Sequence, residues 1–496
     1  MVPSLWNYTI IFLIIVLVLL YMYATRKFNY WKKRNIFYIS PIPFFGNLLP
    51  ALRMKQTFAE WLGDVSRKVN KDYFGMFIFD QPVLILQSPK LIKAVLQKDF
   101  NNFQDRSVSH PENDSIVSNL MFLIENPKWK RTRAAISPIF TSGKLKLMFP
   151  LVLNETKSLT DYISKLANIP NIESKEICAK YSTNVIAKCA FAVDARSFED
   201  MDAEFRNLGR RMFDFTYSTV FRQFGAWFTP NIVNIFKIGF FDPGTIKRLS
   251  EIFIEVLHKR KASPYSKRND LVDFLIEASR SNKDSDFTET AMLGQAVQFF
   301  AAGFETISST LSFSLYESCI DPDIQNRLRT EIVDNIQKHN GITYEGVFEM
   351  KYLDMCVSET LRKYPVLPFL DRMCKSDFKI EDSDLIIEKG IPVYIPMFSL
   401  HYDPKHFPDP DRYDPERFAD KTKINSEGLS YIPFGEGPRI CIGNRFGMMV
   451  VKLGLVTILS KFLVEVSDKT PVPLKFAAKS LLLQSTVGVP LKFVPL

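Results

Sequence analysis

A mainly α-helical fold with minor β-sheets, led by a transmembrane anchor helix, is predicted by three features of the sequence. Most long segments repeat apolar residues at helical spacing, only two short runs are rich in β-formers, and the chain opens on the charge-free stretch LWNYTIIFLIIVLVLLYMYA. With 496 residues, 46% hydrophobic and 13% aromatic, there is enough apolar surface for one large core, which excludes a disordered chain. The 43 Phe point to extensive apolar internal surfaces, whether these face one another or line a ligand cavity.

The opening stretch, Leu5 to Ala24, spans ~30 Å as a helix at ~1.5 Å per residue, the thickness of a bilayer's hydrocarbon core. Trp6 and Tyr8 at one end, with Tyr21, Tyr23 and Trp31 at the other, suit the two interfaces. A cleaved signal peptide carries its basic residues first, whereas here Arg26, Lys27, Lys32, Lys33 and Arg34 follow the apolar run. The segment therefore reads as a retained anchor, and the positive-inside rule keeps its basic flank and all that follows in the cytosol. Residues 1–25 form the anchor, 26–50 a basic linker marked by Pro41, Pro43 and Gly46, and 51–496 the main domain.

Along that domain, Gly75–Gln87 and Asp384–Pro396 read as hairpins, each made of two β-rich runs broken by Asp-Gln-Pro or Lys-Gly. The polar runs Arg260–Asp270 and Arg280–Glu289 read as surface loops between helices. From Thr288, a suitable cap, to about Ile320 the chain runs as one proline-free helix of ~50 Å, long enough to cross the domain. At its centre AAGFET sets Ala302, Gly303 and Thr306 on one face. A mid-helix Gly303 costs about 1 kcal/mol relative to alanine. It serves either close helix packing or a helix loosened beside a ligand, with Thr306 and Glu305 handling protons.

What is missing narrows the function. The cysteines, Cys178, Cys189, Cys319, Cys356, Cys374 and Cys441, show no C-x-x-C spacing, and the five His form no H-E-x-x-H. A zinc site, a disulfide framework and a histidine metal centre are therefore not indicated. The net charge of +9 lies in separate clusters behind a membrane anchor, which argues against nucleic acid as a partner.

Near the C-terminus, PFGEGPRICIGNRFG places Phe434, Gly437, Arg439, Cys441 and Gly443 in the pattern F-x-x-G-x-R-x-C-x-G. A lone loop cysteine is ordinarily an inert thiol. Here Cys441 ends a Gly- and Pro-rich loop and opens an apolar helical stretch, so its sulfur lies near a helix N-terminus, where the dipole and free N–H groups favour a thiolate. Gly437 and Gly443 let backbone approach a flat macrocycle, Phe434 packs against it, and Arg439 offers its fork to a carboxylate. FGEGPRICIG is similar to the haem-binding loop of cytochromes P-450, and AAGFET resembles that family's oxygen-activating helix segment. The match in order and spacing runs from Pro41 to the C-terminus and looks most like the insect microsomal branch linked to foreign-compound metabolism.

The resemblance implies the cytochrome P-450 fold, with 51–496 as the haem-binding catalytic domain and Cys441 as the axial thiolate on the iron of haem b (iron protoporphyrin IX). It implies that Glu359 and Arg362 in SETLRKYP join Arg417 in DPERF in a structural cluster, although by spacing alone E-x-x-R is a common surface ion pair. Arg106, Trp129, Arg133 and Arg372 become propionate-binding residues, and Thr306 and Glu305 the proton-delivering pair. Phe299, Phe300, Ala302, Val366, Leu367, Phe369 and Leu483 become substrate contacts by family position, though all are also ordinary core residues. Ile307 and the proline-poor connector SPIPFFG depart from the family pattern, the former standing where a second hydroxyl residue is common.

The implied activity is a monooxygenase taking apolar small molecules and O2, with electrons from NADPH through the flavins of NADPH-cytochrome P-450 reductase and cytochrome b5 as a further partner. The implied location is the endoplasmic reticulum (microsomal) membrane, catalytic domain facing the cytosol. Lys128, Lys130, Arg131, Lys144 and Lys146 form either a cationic docking surface for the reductase or an ordinary solvated face. The aromatic run Gly225–Phe241 dips toward membrane lipid near an access route. Two rival readings stand beside a broad detoxifying enzyme: a dedicated hormone or lipid biosynthetic hydroxylase, and a non-catalytic haem-thiolate sensor or carrier, against which Glu305 and Thr306 argue.

Overall fold

The computed structural model describes residues 5–108, 114–167, 169–214, 216–263, 267–281, 287–381 and 385–496. Helix Leu5–Thr25 is exposed along most of its length, and its stretch Trp6–Thr25 is apolar enough to cross a membrane, with mean hydropathy 2.4. The segment expected as a linker, 26–50, is packed rather than loose at its start. Trp31 is 2% exposed, donates from Nε1 to Met76 O at 3.1 Å, and fills the space above Gly75, where a Cβ would lie 2.4 Å from the indole. Arg26 pairs with Asp80 at 2.9 Å, while Arg34 and Tyr30 both donate to Glu388. Four aromatic and charged anchors within nine residues, Arg26, Tyr30, Trp31 and Arg34, thus outweigh the chain entropy that a linker would otherwise keep.

Among the described residues the strands are β1 (Tyr73–Ile78), β2 (Gln81–Leu86), β3 (Ile172–Glu173), β4 (Leu370–Met373), β5 (Phe378–Lys379), β6 (Ile386–Ile387), β7 (Pro392–Ile395), β8 (Phe462–Val466) and β9 (Pro490–Pro495). They form sheets of order β1-β2-β7-β4, β3-β9-β8 and β5-β6. The first predicted hairpin is present, with Tyr73 opposite Leu86 and Ile78 opposite Gln81. The second is not: the two runs after Asp384, itself outside the described residues, enter different sheets. β6 pairs with β5, and β7 runs parallel to β2 and antiparallel to β4. All four β7 residues are buried, so the strand is an interior one whose partners lie far away in sequence.

The predicted long helix is observed as Glu289–Ile320, 32 residues, with the Thr288 hydroxyl accepting from Ala291 N–H as cap. It packs against helix Ser174–Phe191 and helix Asn444–Leu459 at the centre of the domain. Of the two explanations for Gly303, the structure displays close packing: a Cβ there would meet Ile186 Cδ1 at 2.5 Å, and the helix stays α throughout. Gly303→Ala is expected to destabilise the protein by about 1–2 kcal/mol, because overpacking exceeds the helix-propensity gain. Adding Ile186→Val, which removes the obstructing methyl, should recover most of that loss in a denaturant double-mutant cycle.

Other helix faces carry the aromatic content. Phe300 is fully buried among Phe191, Phe205 and Phe304, with edge-to-face or stacked rings 5.9–6.2 Å apart. Of the predicted loop Arg260–Asp270, the first residues continue helix Pro243–Ala262, because Arg260 turns inward to bind Asp270 at 2.9 Å and also Asp273. Residues 264–266 there, and 282–286 of the other predicted loop, lie outside the described residues.

Candidate active site

The cysteine loop is shaped by two glycines in left-handed conformation, Gly435 (φ +72°) and Gly437 (φ +74°). At Gly437 a Cβ would fall 1.8 Å from Leu96 O, so glycine serves the turn against Leu96 and not, as expected, the approach of a macrocycle. Gly443 is the residue before helix Asn444–Leu459, and a Cβ there meets nothing nearer than the Phe140 ring at 4.0 Å. Ile440 N–H donates to Gly437 O at 3.0 Å and Cys441 N–H to Phe434 O at 2.9 Å, which closes the loop and aims the sulfur. Cys441 alone of the six cysteines is exposed, yet burial still pushes its thiol up against the opposing pull of Gly443 N–H, Arg133 and Arg106. Both hold for a sulfur that opens onto an internal cavity. The predicted thiolate preference is therefore outweighed by desolvation, and a metal cation is the partner that would reverse it.

A second wall comes from the long helix. Along one face Gln298, Phe299, Ala302, Gly303 and Thr306 retain accessible surface, while the residues between them are buried. Phe299 lies 5.0 Å from Phe446 and 5.8 Å from Phe140, both neighbours of the cysteine loop, so this face and Cys441 share the cavity. Thr306 Oγ donates to Ala302 O at 2.6 Å. Glu305 is turned away from this face: it is 5% exposed, accepts from Ser309 Oγ at 3.1 Å and pairs with Lys175 at 2.9 Å. Ile307 is likewise buried in the core.

Four predicted arginines converge beside this cavity. Arg106 donates to Asp371 at 3.0 Å and stacks over Phe122; Arg439 donates to Asp105 at 3.0 Å, to Ile124 O and to Gln104 O, and lies 4.4 Å from the Trp129 ring. Arg372 is 1% exposed, with Nη1 on Asp371 O and Nε buried without a partner. Burial and then the Arg106 charge push its guanidinium down to about 9, and burial brings Arg439 to about 10. Arg133 is also lowered by burial, with only Cys441 opposing. Two carboxylates, Asp105 and Asp371, face three of these four cations, Arg106, Arg372 and Arg439, and Asp105 is shared with Lys375 at 2.9 Å. A group carrying a metal for the sulfur and carboxylates for the surplus guanidiniums fits this donor set, and haem b has both. Asp105 and Asp371 escaped the sequence reading, although each directly precedes a predicted arginine.

The remaining predicted residues separate into two groups. Ala302, Leu367 and Phe299 keep accessible surface; Phe300, Phe369, Val366 and Leu483 are buried. Phe300 belongs to the aromatic core and Phe369 packs on Phe58, Trp227 and Tyr394, so these two act as supporting packing, while Leu483 N–H donates to Val366 O and joins the backbones of two buried residues. In the run Gly225–Phe241, Trp227, Phe228, Phe240 and Phe241 are core residues, whereas Ile235 and Phe236 are exposed by 73% and 71%. Of the predicted cationic surface, Lys144 and Lys146 are paired with Glu277 and Glu345, and Lys128 is bound to Ser118 O, which leaves less free charge than the sequence implied.

Beneath the cysteine loop, the structure brings Glu359, Arg362 and Arg417 together. Arg362 and Glu359 are fully buried and doubly bonded at 2.6 and 2.8 Å, with Arg417 at 3.5 Å. His401 ties this cluster to the loop: Nδ1–H donates to Arg362 O at 3.2 Å and Nε2 accepts from Ile432 N–H at 3.1 Å. Burial, then the Arg362 charge, push its pKa from 6.5 down to about 3. The unfolded chain thus binds a proton that the folded one refuses between these values. Stability is fully present above pH ~6.5 and falls by about 1.4 kcal/mol per pH unit below it. Denaturation midpoints at pH 7 and pH 5 check this, and His401→Gln should flatten the difference.

A family model described as Cytochrome P450 matches residues 38–493. The chain is 42% identical to cytochrome P450 6k1 of Blattella germanica, over 98% of this chain and 96% of that protein. It is 41% identical to cytochrome P450 6j1 of the same organism, over 95% and 94%, and 35% identical to the probable cytochrome P450 6a13 of Drosophila melanogaster, over 96% of each.

Proposed function

The chain belongs to the cytochrome P450 family, the monooxygenases with a haem-thiolate centre, and on that premise we propose that it inserts one atom of O2 into apolar small molecules with NADPH electrons delivered by a membrane flavoprotein reductase. The observation that carries this is the Cys441 sulfur, exposed on the wall of an internal cavity ringed by surplus guanidinium charge. Cys441 would hold the iron, and Arg106, Arg133, Arg372 and Arg439, with Trp129, the propionates. When bound, the haem supplies O–O bond cleavage, which an axial thiolate favours.

The chain's own residues do the rest. Phe299, Ala302 and Leu367 present an apolar surface to substrate, and the aromatic core behind them keeps bulk water away. Thr306 holds a proton on Oγ at the same face and is the one predicted relay group that reaches the cavity. The exposed apolar helix and its basic flank support anchoring in the endoplasmic reticulum with the domain on the cytosolic side. Lys130, which is exposed, is a candidate for steering the reductase or cytochrome b5.

The carbon monoxide difference spectrum of the reduced full-length protein tests the assignment. A red-shifted Soret band is expected, and a histidine-like band would overturn it. With reductase and NADPH, Thr306→Ala should keep NADPH consumption while product per NADPH falls about ten-fold or more, the scale of a lost proton-transfer group; unchanged coupling would remove Thr306 from its role. Binding of many unrelated apolar compounds would favour foreign-compound metabolism over a dedicated biosynthetic step.

A further inference from the structure

The cavity face of the long helix carries two polar side chains, Gln298 at its start and Thr306 at its end, with Phe299, Ala302 and Gly303 between them. Gln298 stands one turn before Ala302 and two before Thr306, and it too keeps accessible surface. Its Oε1 accepts the Phe122 backbone N–H at 2.8 Å. A backbone N–H only donates, so the oxygen has to face Phe122 and the Nε2 amide group is turned the other way. Nε2 is neither buried nor provided with an acceptor among the described residues.

The amide is also held in that orientation. One turn back, Gln295 Nε2 donates to Asn119 O at 2.6 Å, and a Cβ on Gly294 would lie 2.8 Å from Asn119 Cβ, so the loop carrying Phe122 is clamped to the helix. The Phe122 ring in turn lies 4.1 Å from the Arg106 guanidinium and 6.1 Å from the buried Trp227 ring, which links the loop to the arginine cluster. A fixed N–H donor at the edge of an apolar wall is the kind of group that orients a ligand.

We infer that Gln298 is a specificity-determining residue whose Nε2–H donates to an oxygen acceptor on the substrate, so that the preferred substrates are apolar molecules bearing one carbonyl or ether oxygen. This rests on the proposed reading of the cavity as the substrate site. A hydrocarbon leaves the amide unpaired, whereas a ligand with a matching oxygen gains one net hydrogen bond, about a five-fold preference.

Full-length holoprotein in phospholipid nanodiscs, titrated calorimetrically with hexylbenzene and with phenyl pentyl ketone, tests it. The two probes differ by a methylene replaced with a carbonyl. The wild type should bind the ketone about five-fold tighter than the hydrocarbon. Gln298→Glu, which keeps an oxygen for Phe122 but loses the amide N–H, and Gln298→Leu should both abolish that preference while hexylbenzene still binds. Equal affinities in the wild type, or a preference that survives both substitutions, overturns the inference. Loss of hexylbenzene binding in both variants does so too, because Gln298 would then serve only to hold the loop. A wild type with a red-shifted carbon monoxide band that binds neither probe defeats the reading of the cavity itself.

Discussion

Cys441→Ala abolishes NADPH-dependent turnover and the red-shifted carbon monoxide band, a loss of at least a thousand-fold in rate on the scale of removing a reaction's central group. The expected result separates the sulfur's role from its packing. Cys441 is exposed to the cavity and its backbone N–H, not its side chain, closes the loop on Phe434. The alanine variant should therefore unfold near the wild-type denaturant midpoint while its spectrum is lost. Cys441→His should restore an iron ligand and a histidine-type band without restoring turnover, since imidazole does not donate electron density as a thiolate does. A Cys441→Ala variant that turned over normally would end the assignment.

The second large effect is on stability. Arg362→Ala leaves Glu359 charged and fully buried, with Asp414 N–H as its remaining close donor and Arg417 at 3.5 Å. Breaking such a pair costs about 3–5 kcal/mol, against a total of about 5–15 for a folded domain. Two carbonyls, His401 O and Arg412 O, lose their donors as well. Chemical denaturation should show the midpoint falling sharply, and a shift below about 1 kcal/mol would show the cluster to be dispensable. Arg362→Lys should recover little, because one ammonium cannot reproduce a fork that reaches both Glu359 oxygens and two carbonyls.

How legible these features were in the sequence follows from how local their causes are. The helix Glu289–Ile320 was legible because its cap, its apolar repeat and its lack of proline all lie within the segment. β1 and β2 were legible because the turn joining them is short. β7 was misread because a fully buried strand shows no alternation, and its partners are set by distant parts of the chain. The cysteine loop was readable from the order and spacing of its motif, but the reason for Gly437 was not, since the atom it avoids belongs to Leu96. The direction of Glu305 was not readable for the same reason: position on a helix face says where a side chain starts, and Lys175, on another helix, decides where it ends. The aromatic residues were the hardest to sort, because Phe299 and Phe300 are adjacent and only packing tells which one meets the cavity.

Trp31 changes where the chain can be cut. Its indole seals the face of β1 above Gly75 and is bonded to Met76, so the first residues after the apolar helix are part of the domain's foundation. Removing residues 1–50 would strip away that seal and leave apolar sheet surface bare to solvent. Removing only residues 1–25 keeps Trp31, the Asp80 and Glu388 ion pairs and the edge pairing of Tyr38 with Gly75. The boundary between the exposed apolar helix and what the domain needs for itself falls at Thr25.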